Sequence, residues 1–129
     1  MAVGANLVVD SGVSIAHAQP VALSLAHAAV GSFDLGSGRA SHELETSTEP
    51  GAMSLGAVCS SGVRYVACGA RGEDAEAIGF DEGPKPSRWV RELERRGIAV
   101  TRDVRRDRAA EVLRNYRDCG GVSCNARSA

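Results

Sequence analysis

The chain has 129 residues, 43% of them hydrophobic and 24% charged. That is the size and balance of one folded domain, not of two domains or of a disordered chain. No apolar run approaches the ~20 residues a membrane-spanning helix needs, and Met1-Ala2-Val3-Gly4 is not the basic start of a secretory signal. Four cysteines are too few for a disulfide scaffold, which points to a reducing, intracellular setting. The net charge of -1 hides a gradient: residues 1–50 net -4, residues 51–86 net -2 and residues 87–129 net +5. A basic end can meet an anion or a nucleic acid. Here acids interleave with the arginines, as in Arg91-Glu92 and Arg106-Asp107-Arg108. The pattern reads as a solvated helix face, and direct nucleic-acid binding is not expected.

In chain order, Leu7-Val8-Val9 is a short β-branched run that reaches Asp10-Ser11-Gly12, after which Val13, Ile15 and His17 alternate with small residues. Two strands about an Asp-Ser-Gly turn are predicted, with Pro20 ending the second. Residues 21–30 leave two readings open. Their alanines favour a helix with Pro20 in its first turn; alternatively they are a loop leading to a strand over 28–35. Gly36-Ser37-Gly38 is a break. Residues 45–62, rich in Ser, Thr, Gly and Pro, predict loop. Val63 to Cys68 predicts a strand, with a possible hairpin partner at Leu55–Cys59. Trp89, Val90 and Leu93 predict a helix capped by Ser87 and stopped by Gly97. A short extended link over Ile98–Thr101 follows. Then comes a second helix, capped by Asp103, with Ala109, Val112, Leu113 and Tyr116 on one face and an end at Gly120-Gly121.

Each candidate site has a plain structural alternative. Asp10-Ser11-Gly12 can present backbone N–H groups to phosphate and a carboxylate to magnesium, or it is simply a turn. His17 is a general acid–base candidate or a hydrogen-bonded structural histidine. His27 and His42 have no metal-ligand spacing with it. Cys119 and Cys124 stand in C-x4-C, and Cys59 and Cys68 are eight residues apart, so neither pair has the spacing of a zinc site. Gly69-Ala70-Arg71-Gly72 lacks the full pattern of a phosphate-binding loop.

Residues 7–21, with Asp10-Ser11-Gly12, His17 and Pro20, resemble the second phosphate-binding hairpin of actin and the actin-related proteins. Leu25-Ala26-His27-Ala28, Asp34-Leu35 through Arg39, and Leu93-Glu94-Arg95-Arg96-Gly97 resemble later elements of that family. The match covers about residues 7–44 and 89–121 and leaves 45–87 as a loop-rich insertion within a single domain over 1–129. The resemblance implies an α/β fold: part of a ribonuclease H-like ATPase lobe, a β-hairpin or meander followed by helices. It implies ATP and magnesium as cofactors, Asp10, Ser11 and Gly12 at the phosphates, Asp10 on the metal through water, and His17 ordering the attacking water. The chain lacks the first phosphate loop and the adenosine pocket, so little or no ATPase activity is expected from it alone. The expected role is structural or assembly-related, with other protein subunits or actin-like chains as partners, in the cytoskeleton or a nuclear chromatin-remodelling complex and not at a membrane. Two competing readings are a small interaction module with an Arg-rich helical face and a thiol or metal enzyme using Cys59, Cys68, Cys119 and Cys124.

Overall fold

The computed structural model describes residues 1–127. The chain first forms α1 (Val8–Ser11) and α2 (Ala18–Val30). It then alternates through β1 (Glu43–Thr48), α3 (Ala52–Ser61), β2 (Tyr65–Ala70), α4 (Gly72–Glu76), α5 (Trp89–Glu94) and β3 (Ala99–Thr101), and closes with α6 (Arg106–Asp118). The strands make one parallel sheet in the order β1-β2-β3. Glu43 lies opposite Tyr65 and Thr48 opposite Ala70, while Tyr65 lies opposite Ala99. Parallel neighbours need a crossover connection. Helix α3 supplies the first, and α4 with α5 the second. The α/β class expected from the sequence is therefore present.

The N-terminal hairpin or meander is not. Residues 8–11 form a single helical turn closed by Gly12 at φ 68°, and the first strand comes only at Glu43. The β-branched run at Val8-Val9 is too short to hold a strand without a neighbour, so local hydrogen bonding decides. Of the two readings for residues 21–30, the helix is the one that forms. Pro20 sits in the first turn of α2, where a missing N–H costs nothing. Gly31 ends the helix at φ 69°, its N–H donating to the His27 carbonyl.

Residues 45–62, expected to be loop, form most of β1 and all of α3. Helix α3 has weak intrinsic propensity, but Leu55 and Val58 are buried on one side of it, and packing against α2 supplies what propensity lacks. The proposed hairpin between Leu55–Cys59 and Val63–Cys68 is replaced by parallel pairing of β2 with β1. The core is formed by Leu23 from α2, Leu55 and Val58 from α3, Leu44 and Val66 from the sheet, and Trp89 and Leu93 from α5. On the opposite face α6 packs closely on β2. A Cβ at Gly69 would lie 2.8 Å from Ala109 Cβ and 2.8 Å from the Ser47 carbonyl oxygen. The extended link and both C-terminal helices form, but Arg88, not Ser87, is the N-cap residue of α5, and it makes no side-chain cap. The second helix starts later than expected, with Arg105 rather than Asp103 as its N-cap.

Candidate functional site

In parallel α/β sheets, ligands bind beyond the carboxyl ends of the strands. Here two helix N-termini meet at that edge, beside the end of β1. His17 is the N-cap residue of α2, and Gly51 is the N-cap residue of α3. One turn in, Gln19 and Ser54 face each other. The Ser54 hydroxyl donates to Gln19 Oε1 at 3.2 Å. Gln19 Nε2 donates to Thr46 Oγ1 at 2.9 Å and to the Thr48 carbonyl at 3.3 Å. Thr46 Oγ1 in turn donates to the Thr48 carbonyl at 2.9 Å. Donors and acceptors run in one direction through four neutral groups, and Ser54 is buried.

The segment before α5 covers the start of α3. The Glu82 carbonyl accepts the N–H of Ala52 at 2.8 Å, satisfying one of the free donors at that helix end. This brings the Glu82 carboxylate over Gly51: a Cβ at Gly51 would lie 3.3 Å from the Glu82 carbonyl oxygen and 3.6 Å from Oε2. Glu82 Oε2 is buried and has no partner within hydrogen-bond distance among the described residues; Lys85 Nζ is an ion-pair neighbour at 3.7 Å. Burial raises the Glu82 carboxyl above its ordinary value, against the opposing pull of Lys85.

Beside it, Glu49 is 4% exposed and fully engaged. Its Oε2 accepts the Gly72 N–H at 3.1 Å and Lys85 Nζ at 3.3 Å, and its Oε1 accepts Arg102 Nε at 2.7 Å. Lys85 and Arg102 both lie over the Trp89 ring, at 4.8 and 5.5 Å from its centroid. The cluster is held together by opposite charge and an aromatic face.

The residues singled out in the sequence scatter. Asp10, Ser11 and Gly12 are exposed on the α1 turn, where Ser11 Oγ donates to the Leu7 carbonyl at 2.6 Å. His17 alone lies at the convergent helix ends. His27 bonds the Ser61 carbonyl at 3.1 Å, tying α2 to the end of α3, and His42 bonds the Leu35 carbonyl at 2.8 Å within the segment between α2 and β1. All four cysteines are free. Cys68 is buried, and desolvation pushes its thiol up to about 11. No three or more His, Cys, Asp or Glu side chains among the described residues are placed to hold a metal ion, which removes the geometric basis for a cysteine metal site. Gln19, Gly51 and Ser54 escape the sequence reading because an amide, a glycine and a hydroxyl carry no metal or acid–base signal, and Glu82 escapes it because one acid in the Gly- and Pro-rich stretch 69–86 looks like a solvated loop residue.

No protein-family model and no curated protein sequence matches the chain. Solved structures do. The chain is 51% identical to a guanine deaminase from Nitrosomonas europaea, with a TM-score of 0.88 over 90% of this chain and 64% of that one. A variant of NE0047 in complex with 8-azaguanine gives 50% identity and a TM-score of 0.88, with the same 90% and 64% covered. NE0047 in complex with 2,6-diaminopurine gives 52% identity and a TM-score of 0.89, covering 97% of this chain and 67% of that one. The chain thus spans a little under two thirds of the first two structures' length. Half-identity across nine-tenths of the chain overturns the actin resemblance, which rested on short matches with a gap of about 45 residues. The ATPase lobe, ATP, magnesium and the cytoskeletal or chromatin-remodelling role fall with it. Asp10, Ser11 and Gly12 lose the phosphates and metal they were expected to meet, and His17 loses the water it was expected to order for ATP hydrolysis.

Zinc deaminases that act on nucleobases carry their metal and proton-transfer groups in two patterns, His-x-Glu and Pro-Cys-x-x-Cys. Two stretches of this chain keep the His and the Pro of those patterns at the same spacing: His17-Ala18-Gln19 and Pro50-Gly51-Ala52-Met53-Ser54. They open α2 and α3, and Gln19 and Ser54 meet between them. The residues do not fit zinc. Within these two stretches His17 is the one donor of the right kind; a glycine and a hydroxyl stand where the pattern has its thiolates, and the amide of Gln19 stands where it has its carboxylate.

Proposed function

This chain belongs to the guanine deaminase family of NE0047, and on that footing we propose that it binds a purine base at the edge where α2 and α3 converge. The observation that supports the reading is the buried Glu82 Oε2, an acceptor with no hydrogen-bond partner among the described residues, set over the N-terminus of α3. Guanine-type rings present a ring N–H next to an exocyclic amine, two donors on one edge. A carboxylate accepts such a pair with charge-assisted hydrogen bonds. The helix N-termini favour the oxygen-bearing side of the same ring.

Calorimetry or equilibrium dialysis with 8-azaguanine and 2,6-diaminopurine tests this. Saturable binding of at least one is expected. Glu82→Ala weakens it by about 10- to 100-fold, the worth of a hydrogen bond to a charged group. No saturable binding at millimolar base, or affinity indifferent to Glu82→Ala in a folded protein, would refute the reading.

A further inference from the structure

We infer that the position where this family's chemistry calls for zinc is, in this chain, a neutral hydrogen-bonded site that holds no metal and carries out no hydrolytic deamination. The inference rests on family membership for the location of the site, and on the reading above only for the base that would lie there.

Three local observations carry it. First, the His-x-Glu and Pro-Cys-x-x-Cys pattern holds its zinc with two anionic thiolates alongside the histidine. Gly51 has no side chain, and the Ser54 proton is engaged with Gln19 Oε1. Second, the backbone does not require glycine at position 51. Its φ of -69° and ψ of 177° suit any residue, although a Cβ would meet the Glu82 carbonyl oxygen at 3.3 Å and that carbonyl, which accepts the Ala52 N–H, would have to give by a few tenths of an ångström. The backbone conformation alone would admit a cysteine here, and the glycine leaves the position without a metal donor. Third, Gln19 fits its neighbours as an amide. Its Nε2 points a donor at the Thr48 carbonyl at 3.3 Å and at Thr46 Oγ1 at 2.9 Å. An ionised glutamate there would set a negative oxygen against that carbonyl. The amide takes no part in proton transfer near neutral pH, so the site has lost its acid–base group together with its metal ligands. What remains is a pre-formed polar rim suited to holding a base.

The test is zinc and cobalt(II) binding by the full chain, measured in competition with a chromophoric chelator. Wild type is expected to retain no metal that depends on His17. Gly51→Cys combined with Ser54→Cys is expected to take up one zinc per chain. With cobalt it should show thiolate-to-metal charge-transfer absorption that His17→Ala abolishes. If the double variant fails to fold by circular dichroism, Ser54→Cys alone, a near-isosteric change, must bind zinc at least tenfold more tightly than wild type. Stoichiometric zinc in wild type that His17→Ala removes would overturn the inference, as would a folded double variant that takes up none. Gln19→Glu without metal is expected to lower the urea midpoint; an unchanged midpoint would remove the argument from the amide. Purine binding is measured on the same samples. Base bound without zinc supports both readings, and neither bound sinks the base reading while leaving this one standing.

Discussion

Replacing Glu49 with alanine removes the counter-charge that accepts hydrogen bonds from both Lys85 and Arg102. The carboxylate is 4% exposed and accepts from the Gly72 N–H, Lys85 Nζ and Arg102 Nε at 2.7 to 3.3 Å. Without it, the Lys85 ammonium, 10% exposed, keeps only Glu82 at 3.7 Å. Arg102, about one-third exposed, keeps the Trp89 ring but loses its carboxylate partner, and the Gly72 N–H loses its acceptor. Breaking a buried charge pair by deleting one member costs about 3–5 kcal/mol. Arg102 is exposed enough for water to recover part of this, so the expected loss is about 3 kcal/mol. For a domain of this size, with a urea slope of roughly 1.5–2 kcal/mol per molar, that lowers the midpoint by about 1.5–2 M. Trp89 is the only tryptophan and is buried at this cluster, so its fluorescence reports the transition directly. Glu49→Gln, which keeps shape and two acceptor lone pairs but loses the charge, should fall between the two. If Glu49→Ala shifts the midpoint by less than about 0.5 M, the cluster is not a buried ionic network and the reasoning fails.

Further outcomes follow from the same structure. Gly69→Val forces a side chain against Ala109 and the Ser47 carbonyl and should cost about 1–3 kcal/mol by overpacking; an unchanged melting temperature would show that α6 does not sit on β2 as described. Asp74 accepts from Arg106, whose hydrogen bonds are the largest cause holding its carboxyl below the usual 3.8. A depressed carboxyl contributes stability above its unfolded pKa and loses it as pH falls through the folded value. The stability gap between wild type and Asp74→Asn should therefore be full above about pH 4 and close on further acidification, and a gap that widens in acid would contradict the pairing. Thiol titration should find Cys59 and Cys119 reactive in the native protein, whereas Cys68, buried and pushed up to about 11, reacts only in urea. Rapid native labelling of Cys68 would place β2 at the surface.

The carboxyl-terminal third was readable because its signals are local. Trp89, Val90 and Leu93 repeat at helical spacing, Gly97 stops the turn at φ 78°, and Ile98 to Thr101 is β-branched enough to continue as β3. The middle was not, because β1 and α3 are made by what they touch. Thr46 and Thr48 look like loop residues until Gln19 is bonded between them, and Ser54, Gly56, Ser60 and Ser61 look like a linker until Leu55 and Val58 bury against α2. The site was hidden for a chemical reason. Of the family's two patterns only His17 and Pro50 survive beside conservative-looking replacements, so a reader searching for thiolates and carboxylates passes over Gln19, Gly51 and Ser54. Asp10-Ser11-Gly12, by contrast, drew notice as a motif while forming only an exposed turn. Short matches in order, without the strands that give them meaning, do not fix a fold.

The most direct test of the central claim is ammonia release from guanine by the purified 129-residue chain supplied with one equivalent of zinc. The account predicts release at the protein-free background, the same in wild type and His17→Ala. Zinc-dependent ammonia production that His17→Ala abolishes would show a working metal centre and contradict it.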